Sequence, residues 1–245
     1  MTEAREYGIR TYGDYIAEVY DRYYGGQDPE AVLALKHLAG TGRALELGIG
    51  TGRVALPLQE AGVRVSGIDA SPPMVEQLRS KPGGDAIPVT IGDFAEVGVE
   101  GEFSLVYVVF NTFFNLQTQS DQVRCFGNVA RHLTTDGVFV LEAFVPDLGR
   151  FRGGQEMRLI TQAEDEIRFD ASQIDPVKQM VTSTHITLRA GGPRFYPLSL
   201  RYAWPSELDL MAQLAGLVLR ERWGSWERAP FTSASGSHIS VYGRA

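Results

Sequence analysis

The segment Glu46-Leu-Gly-Ile-Gly-Thr-Gly52-Arg53 places an acid and three alternating glycines where an apolar run gives way to an amphipathic one. Glycine enters the left-handed backbone region without a Cβ penalty, so such a loop turns tightly and brings backbone amides at a helix start close to a ligand. A carboxylate in an apolar strand is costly without a partner, so Glu46 is read as a ligand contact. The spacing narrows the ligand. A dinucleotide fingerprint wants a third glycine where Arg53 stands, to admit a pyrophosphate, so Gly48, Gly50 and Gly52 disfavour a nicotinamide cofactor. Two further acids follow: Asp69 in GIDAS and Asp93 in GDF. A carboxylate at Asp69 can accept both hydroxyls of an adenosine ribose, and Asp93 with Phe94 suits a purine's exocyclic amine and face. Plainer readings stand beside these. Asp93 could cap a turn, Phe94 and Met74 could belong to the core, and Arg53 could pair with a surface acid.

The elements that must position these residues show in the hydrophobic pattern. Short apolar runs over 43–47, 63–68, 87–91, 103–109 and 138–144 alternate with amphipathic stretches over 54–60, 73–79 and 120–133, the last ended by Asp136-Gly137. That rhythm predicts a parallel, doubly wound α/β sheet whose strand ends converge on one crevice. Two helices come first. One, over 12–24, gathers Tyr12, Ile16, Val19, Tyr20 and Tyr23 on one face; the other, over 31–38, is entered through Asp28-Pro29-Glu30 and ended by Gly40 and Gly42. Residues 1–40 thus read as an N-terminal helical cap. From 156 to 204 the period changes to two, with turns at Asp175-Pro176 and Gly191-Gly192-Pro193, which predicts a small antiparallel β-meander inserted over 150–204. A helix capped by Ser206 and two strands over 217–223 and 238–242 return to the main sheet, all within a single domain of 1–245.

The 245-residue chain is 44% hydrophobic and carries a formal charge of −7, with no basic stripe to track phosphates, which argues against nucleic acid. Its one cysteine, Cys125, cannot form an intramolecular disulfide, and four separated histidines give no metal-ligand spacing. The polar start, MTEAREYGIRTYGDY, is unlike a secretory leader, and no apolar run reaches membrane-spanning length. A cytoplasmic protein that binds neither membrane nor metal is expected, with no repeat or linker dividing it.

The glycine motif, the two acids and the order of elements, from Tyr12 to the C-terminus, resemble those of the class I S-adenosylmethionine-dependent methyltransferases. The resemblance implies a Rossmann-like doubly wound sheet of seven strands with an antiparallel last strand, the β insertion following the fifth. It also implies that Glu46 and the loop of Gly48, Gly50, Gly52 and Arg53 hold the methionine part, Asp69 the ribose, Ala70 and Met74 the adenine faces, and Asp93 and Phe94 its edge. Adenine and glutamine N-methyltransferases carry an Asn or Asp with two prolines after the fourth strand. Val109-Phe-Asn-Thr-Phe-Phe-Asn115 departs from that pattern, which argues against DNA or protein-glutamine substrates.

The N-terminal helix, the FNTFFNL segment and the β insertion resemble more narrowly the amino-sugar N-methyltransferases and their small-molecule relatives. There the first helix covers the donor, a tyrosine matching Tyr12 lies near the acceptor, and Tyr20 matches a second group position. A histidine of some members falls at Asn115. Candidate bases are Tyr12, Glu142 near the end of the fifth strand, and His185, whose alternating strand favours a surface position. Phe113, Phe114, Tyr196, Tyr202 and Trp204, with Arg152 and Arg201, would suit a ring-binding pocket, although Arg201 and Tyr202 point to opposite faces of one strand. The expected activity is methylation of nitrogen or oxygen on a small soluble molecule, such as an amino sugar or natural-product intermediate. Alternatives are a non-catalytic or regulatory S-adenosylmethionine-binding protein and, further off, an NAD-type oxidoreductase. A homodimer is compatible with the sequence.

Overall fold

The computed structural model describes residues 8–26 and 28–245; residues 1–7, which open both the polar start and the N-terminal cap read above, lie outside the described residues, as does position 27 within that cap. Helices α1 (Thr11–Tyr24) and α2 (Pro29–Ala39) precede β1 (Arg43–Leu47), α3 (Ala55–Glu60), β2 (Arg64–Asp69), α4 (Pro72–Arg79), β3 (Val89–Ile91), β4 (Phe103–Val108), α5 (Gln119–His132) and β5 (Leu133–Phe144). There follow β6 (Gln155–Gln162), β7 (Glu166–Asp175), β8 (Met180–Arg189), β9 (Arg194–Arg201), α6 (Pro205–Leu214), β10 (Leu217–Trp223) and β11 (Ser237–Arg244). The seven-stranded sheet runs in the order β10-β11-β5-β4-β1-β2-β3. All neighbours from β5 to β3 pair in parallel, and β11 pairs antiparallel between β5 and β10.

Both faces of this sheet are buried. Leu45, Leu47, Val106, Val108, Phe139 and Leu141 face one core with Phe126 and Val129 of α5 and Leu208 and Met211 of α6. The alternate residues Ala44, Leu105, Tyr107 and Val140 face the other with Leu35 of α2 and Leu58 of α3. Strands covered on both faces read as continuous apolar runs, the pattern that marked them in the sequence.

Two local readings are corrected. Asp136-Gly137 does not stop α5; it lies inside β5, which pairs with β4 from Leu133 onward across a register shift. The helix ends at His132, whose ring nitrogens lie 2.9 Å from the Asn128 carbonyl and 3.0 Å from that of Val99, and the chain passes directly into the sheet. Ser206 is not a cap either. Trp204 occupies that place and Pro205 begins α6, where a missing N–H costs nothing.

The inserted segment forms a separate antiparallel sheet, β6-β7-β8-β9. Helix α1 bridges it to the main sheet. On one flank Asp14 accepts from the Ser71 hydroxyl at 2.7 Å, while Asp21 accepts from the Thr51 hydroxyl and pairs with Lys81, both at 2.6 Å. On the other flank Arg22 pairs with Glu166 at 2.9 Å, and the hydroxyls of Tyr23 and Thr187 meet at 3.3 Å. Glycine at position 13 allows the close approach, because a Cβ there would come within 2.7 Å of Ser71 Cβ and 3.2 Å of Met74 Cγ.

Candidate active site

A cavity of ≈ 680 Å³ opens between the C-terminal ends of β1, β2 and β4, the underside of α1 and the inner face of the four-stranded sheet. Its volume falls in the range of small-molecule sites, at the strand ends where open α/β sheets bind ligands.

The loop after β1 forms one end. Gly48, Gly50 and Gly52 hold φ of 72°, 55° and 77°, left-handed conformations that L side chains rarely adopt. A Cβ on Gly48 would also press to 2.4 Å from Thr112 Cγ2. Gly48, Gly50 and Arg53 line the cavity, but Gly52 does not; its α-carbon packs against Leu78 and Leu56, closing the loop onto α4 and α3. Glu46 is buried, and its carboxyl accepts the Tyr107 hydroxyl at 2.9 Å. Burial pushes the carboxyl up to about 8, against the opposing pulls of Tyr107 and the Arg53 charge. Asp69 accepts the amides of Gly50 at 2.7 Å and Ser71 at 2.8 Å, tying the first two strand ends together. Ala70, Met74, Asp93 and Phe94 line the same end. Asp93 joins both of its readings, since it borders the cavity and also accepts the Ala95 amide at 2.8 Å.

Among the described residues Arg53 makes no surface ion pair; its guanidinium stacks over the Phe110 ring at 4.5 Å. Phe110 and Asn111 have φ of 57° and 65°, a strained pair of non-glycine residues beside the site. Glu142 explains their stability. It is not among the cavity-lining residues, contrary to its reading as a base in the crevice, because its carboxylate turns to accept the Phe110 amide at 2.8 Å. Asn111 Oδ1 in turn accepts the Phe144 amide at 2.7 Å, so β4 and β5 jointly hold the turn.

The other end is aromatic above and mixed below. Tyr12, Tyr20 and Tyr24 descend from α1, and Asn115 lines the same cavity while donating to the Thr112 carbonyl at 3.0 Å. Burial, reinforced by Tyr24, pushes the Tyr12 phenol well above its ordinary range; burial opposed by Arg53 brings Tyr20 to about 12. Neither is a ready phenolate at neutral pH.

The sheet below contributes alternate residues: Glu156, Arg158 and Ile160 of β6, Asp170, Ser172 and Ile174 of β7, Val181, Ser183 and His185 of β8, and Leu198 and Leu200 of β9, with Tyr202 just beyond. His185, expected at the surface, therefore faces the cavity. Its Nδ1 bonds Asp170 Oδ1, and its ring lies edge-on to Tyr12 with centroids 5.8 Å apart. Alternation along a strand distinguishes two faces but not which of them is covered, so only the position of α1 and the crevice decides. Of the aromatic and arginine candidates, Tyr202 alone lines the cavity. Phe113 and Phe114 are fully buried core, Tyr196 packs against Tyr23, Trp204 caps α6, and Arg201 is buried against Glu207 at 2.8 Å. Arg152 lies outside the lining, in a bridge with Gln155.

The S-adenosylmethionine implied by the sequence fits this chemistry. The cradle of Gly48 and Gly50 exposes backbone, the Glu46 carboxyl has no cation in contact with it among the described residues and would receive an ammonium, and Asp69 and Asp93 stand at successive strand ends to meet ribose and adenine. Among the described residues no cluster suits a metal ion, and no helix is long and apolar enough to cross a membrane.

Known proteins agree with that chemistry. Residues 44–137 match the family model described as a methyltransferase domain. The chain is 29% identical to the cypemycin N-terminal methyltransferase of a Streptomyces species over 95% of this chain and 97% of that protein. The structure of the CcbJ methyltransferase from Streptomyces caelestis is 39% identical, with a TM-score of 0.91 over 98% of this chain and 100% of that one. At 21% identity, the S-adenosylmethionine-bound structure of CalS10, an amino pentose methyltransferase from Micromonospora echinaspora involved in calicheamicin biosynthesis, shares the fold with a TM-score of 0.70 over the whole of both chains.

Proposed function

The chain belongs to the class I S-adenosylmethionine-dependent methyltransferases, and from that premise we propose that it methylates an amine nitrogen of a small natural-product intermediate, such as an amino sugar. The observation that carries this reading is the single cavity joining the glycine loop to the inner face of the inserted sheet under one roof, α1. When bound, S-adenosylmethionine supplies an activated methyl group on a sulfonium, so the protein's share of the work is chiefly orientation and exclusion of water. Glu46, the Gly48 and Gly50 backbone and Arg53 would hold its methionine part, Asp69 its ribose, and Ala70, Met74, Asp93 and Phe94 its adenine. The inserted sheet and the α1 tyrosines would hold the acceptor.

An amine fits better than a hydroxyl on two grounds. Tyr12 and Tyr20 are poor phenolate bases and Glu142 is occupied by Phe110, which leaves an imidazole, His185, as the base at hand, a group better matched to an ammonium proton than to that of an aliphatic hydroxyl. One relative is named an N-terminal methyltransferase and another an amino pentose methyltransferase, names that refer to substrates carrying an amine. The test is incubation with methyl-labelled donor and a panel of amines, amino sugars and phenols. Label on amines is expected; label on phenols alone, or on nothing, sinks the proposal.

A further inference from the structure

The strand register lines up one polar row across the inserted sheet: Arg158 opposite Asp170, Asp170 opposite His185, and His185 opposite Tyr196. Cross-strand partners share a face, so the whole row lies on the side covered by α1 and the cavity. Within it Asp170 accepts from His185 Nδ1 through Oδ1 and pairs with Arg158 through Oδ2 at 3.3 Å. Burial alone would raise the Asp170 carboxyl, but the bonds from His185 and Arg158 outweigh it and hold it below its ordinary range, so it is an anion. A carboxylate on Nδ1 fixes the tautomer with its proton there and leaves Nε2 with a free lone pair. Among the described residues Nε2 has no protein partner, and the ring borders the cavity beside Tyr12.

We propose that His185 is the proton acceptor of the methyl transfer and that Asp170 is the residue that positions it, a role that rests on the amine reading above. The acceptor's ammonium gives one proton to His185 Nε2, the lone pair of the resulting neutral amine forms the new bond to the methyl carbon, the electron pair of the broken carbon–sulfur bond stays on sulfur, and the product leaves as the methylated ammonium. Asp170 balances the imidazolium, which then returns its proton to solvent. The logic is that of an imidazole base oriented by a carboxylate, transferred to a β-sheet wall. The charged and titratable groups facing His185 are Asp170 on β7, Arg158 behind it on β6, Tyr196 on β9, and Tyr12 and Tyr24 on α1, with Arg168 beside Tyr24.

Two measurements on the full chain test this. In the adenosylhomocysteine complex, imidazole ¹⁵N shifts should show His185 as the Nδ1–H tautomer, and titration with piperidine should shift its Nε2 signal in wild type. An Nε2–H tautomer, or no response of Nε2 to piperidine, overturns the proposal. With S-adenosylmethionine and the amine that wild type turns over best in the panel, His185→Gln should lower kcat by about 100-fold or more with adenosylhomocysteine affinity unchanged, and added imidazole should restore part of the rate of His185→Gly. Asp170→Asn should move the acidic limb of the kcat profile to lower pH. If His185→Gln matches wild type on that amine, the base is elsewhere while the amine reading stands. If wild type methylates phenols only, the amine reading falls, and the same variants on a phenol decide the base.

Discussion

Glu46 offers the sharpest test of the cofactor site, because its carboxyl is held up to about 8 by burial and should lose its proton when an ammonium arrives. At pH 7 such a group is about 90% protonated in the free protein. Adenosylhomocysteine, whose α-ammonium would dock against an ionised Glu46, should therefore bind with release of about 0.9 proton per site at that pH. The complex holds fewer protons than the free protein, so affinity must rise with pH. The factor 1 + 10^(8 − pH) falls from about 100 at pH 6 to about 2 at pH 8, a gain of roughly 50-fold in affinity across that window while the ligand amine stays charged. Titration calorimetry in two buffers of different ionisation enthalpy measures the proton count directly. Glu46→Gln should abolish both the release and the slope and bind about tenfold or more weakly at pH 8, since a charged hydrogen bond is lost. A wild type that releases no proton and binds equally from pH 6 to 8, or a Glu46→Gln protein that keeps the slope, refutes the reasoning.

Three further outcomes follow from contacts elsewhere. His238 is fully buried with Nε2 unpartnered, and burial brings it to about 4. The unfolded chain then binds the extra proton between about 6.5 and 4, so stability is full above that window and falls by about 3 kcal/mol as pH drops through it; urea melts of His238→Gln should lack this acid loss, and an unchanged pH dependence contradicts it. Gly13→Ala should push α1 off Ser71, cost about 1–3 kcal/mol and weaken adenosylhomocysteine binding; wild-type affinity by calorimetry would show that α1 does not close the donor site. Glu142→Ala should cost about 0.5–1.5 kcal/mol in denaturant melts by removing the acceptor of the Phe110 amide, while Glu142→Gln keeps an acceptor there and should retain rates within about threefold of wild type. A stable but inactive Glu142→Gln would make that carboxyl a base after all.

The proposed donor end of the site is local in sequence: Glu46 to Arg53, Asp69 with Ala70, and Asp93 with Phe94 each sit within a few residues of a strand end, and the topology of open sheets gathers strand ends without further information. The acceptor end is not. His185 meets Asp170 only through a register that no single strand reveals, and the face they share depends on where α1 lies. Glu142 illustrates the converse failure. A position near a strand end pointed to the crevice, but the neighbouring left-handed turn at Phe110 claims the carboxylate and leaves Glu142 out of the cavity lining. The rings of Phe113 and Phe114 look like a pocket in a list of aromatics, but their turn buries them at the end of the central strand β4, where Phe126 and Phe144 complete the packing. Tyr107, the hydroxyl that meets Glu46, carried no signal at all, being one apolar-looking residue within a buried strand.

The double anchorage of α1 has a kinetic consequence. The helix is clamped to the donor loops through Asp14 and Asp21 and to the inserted sheet through Arg22 and Tyr23, and its tyrosines fill the space between. On the proposed function, spent donor and methylated product would leave past this one helix, and where release calls on those few polar contacts to open, the frequency of opening would cap turnover whatever the rate of the chemical step.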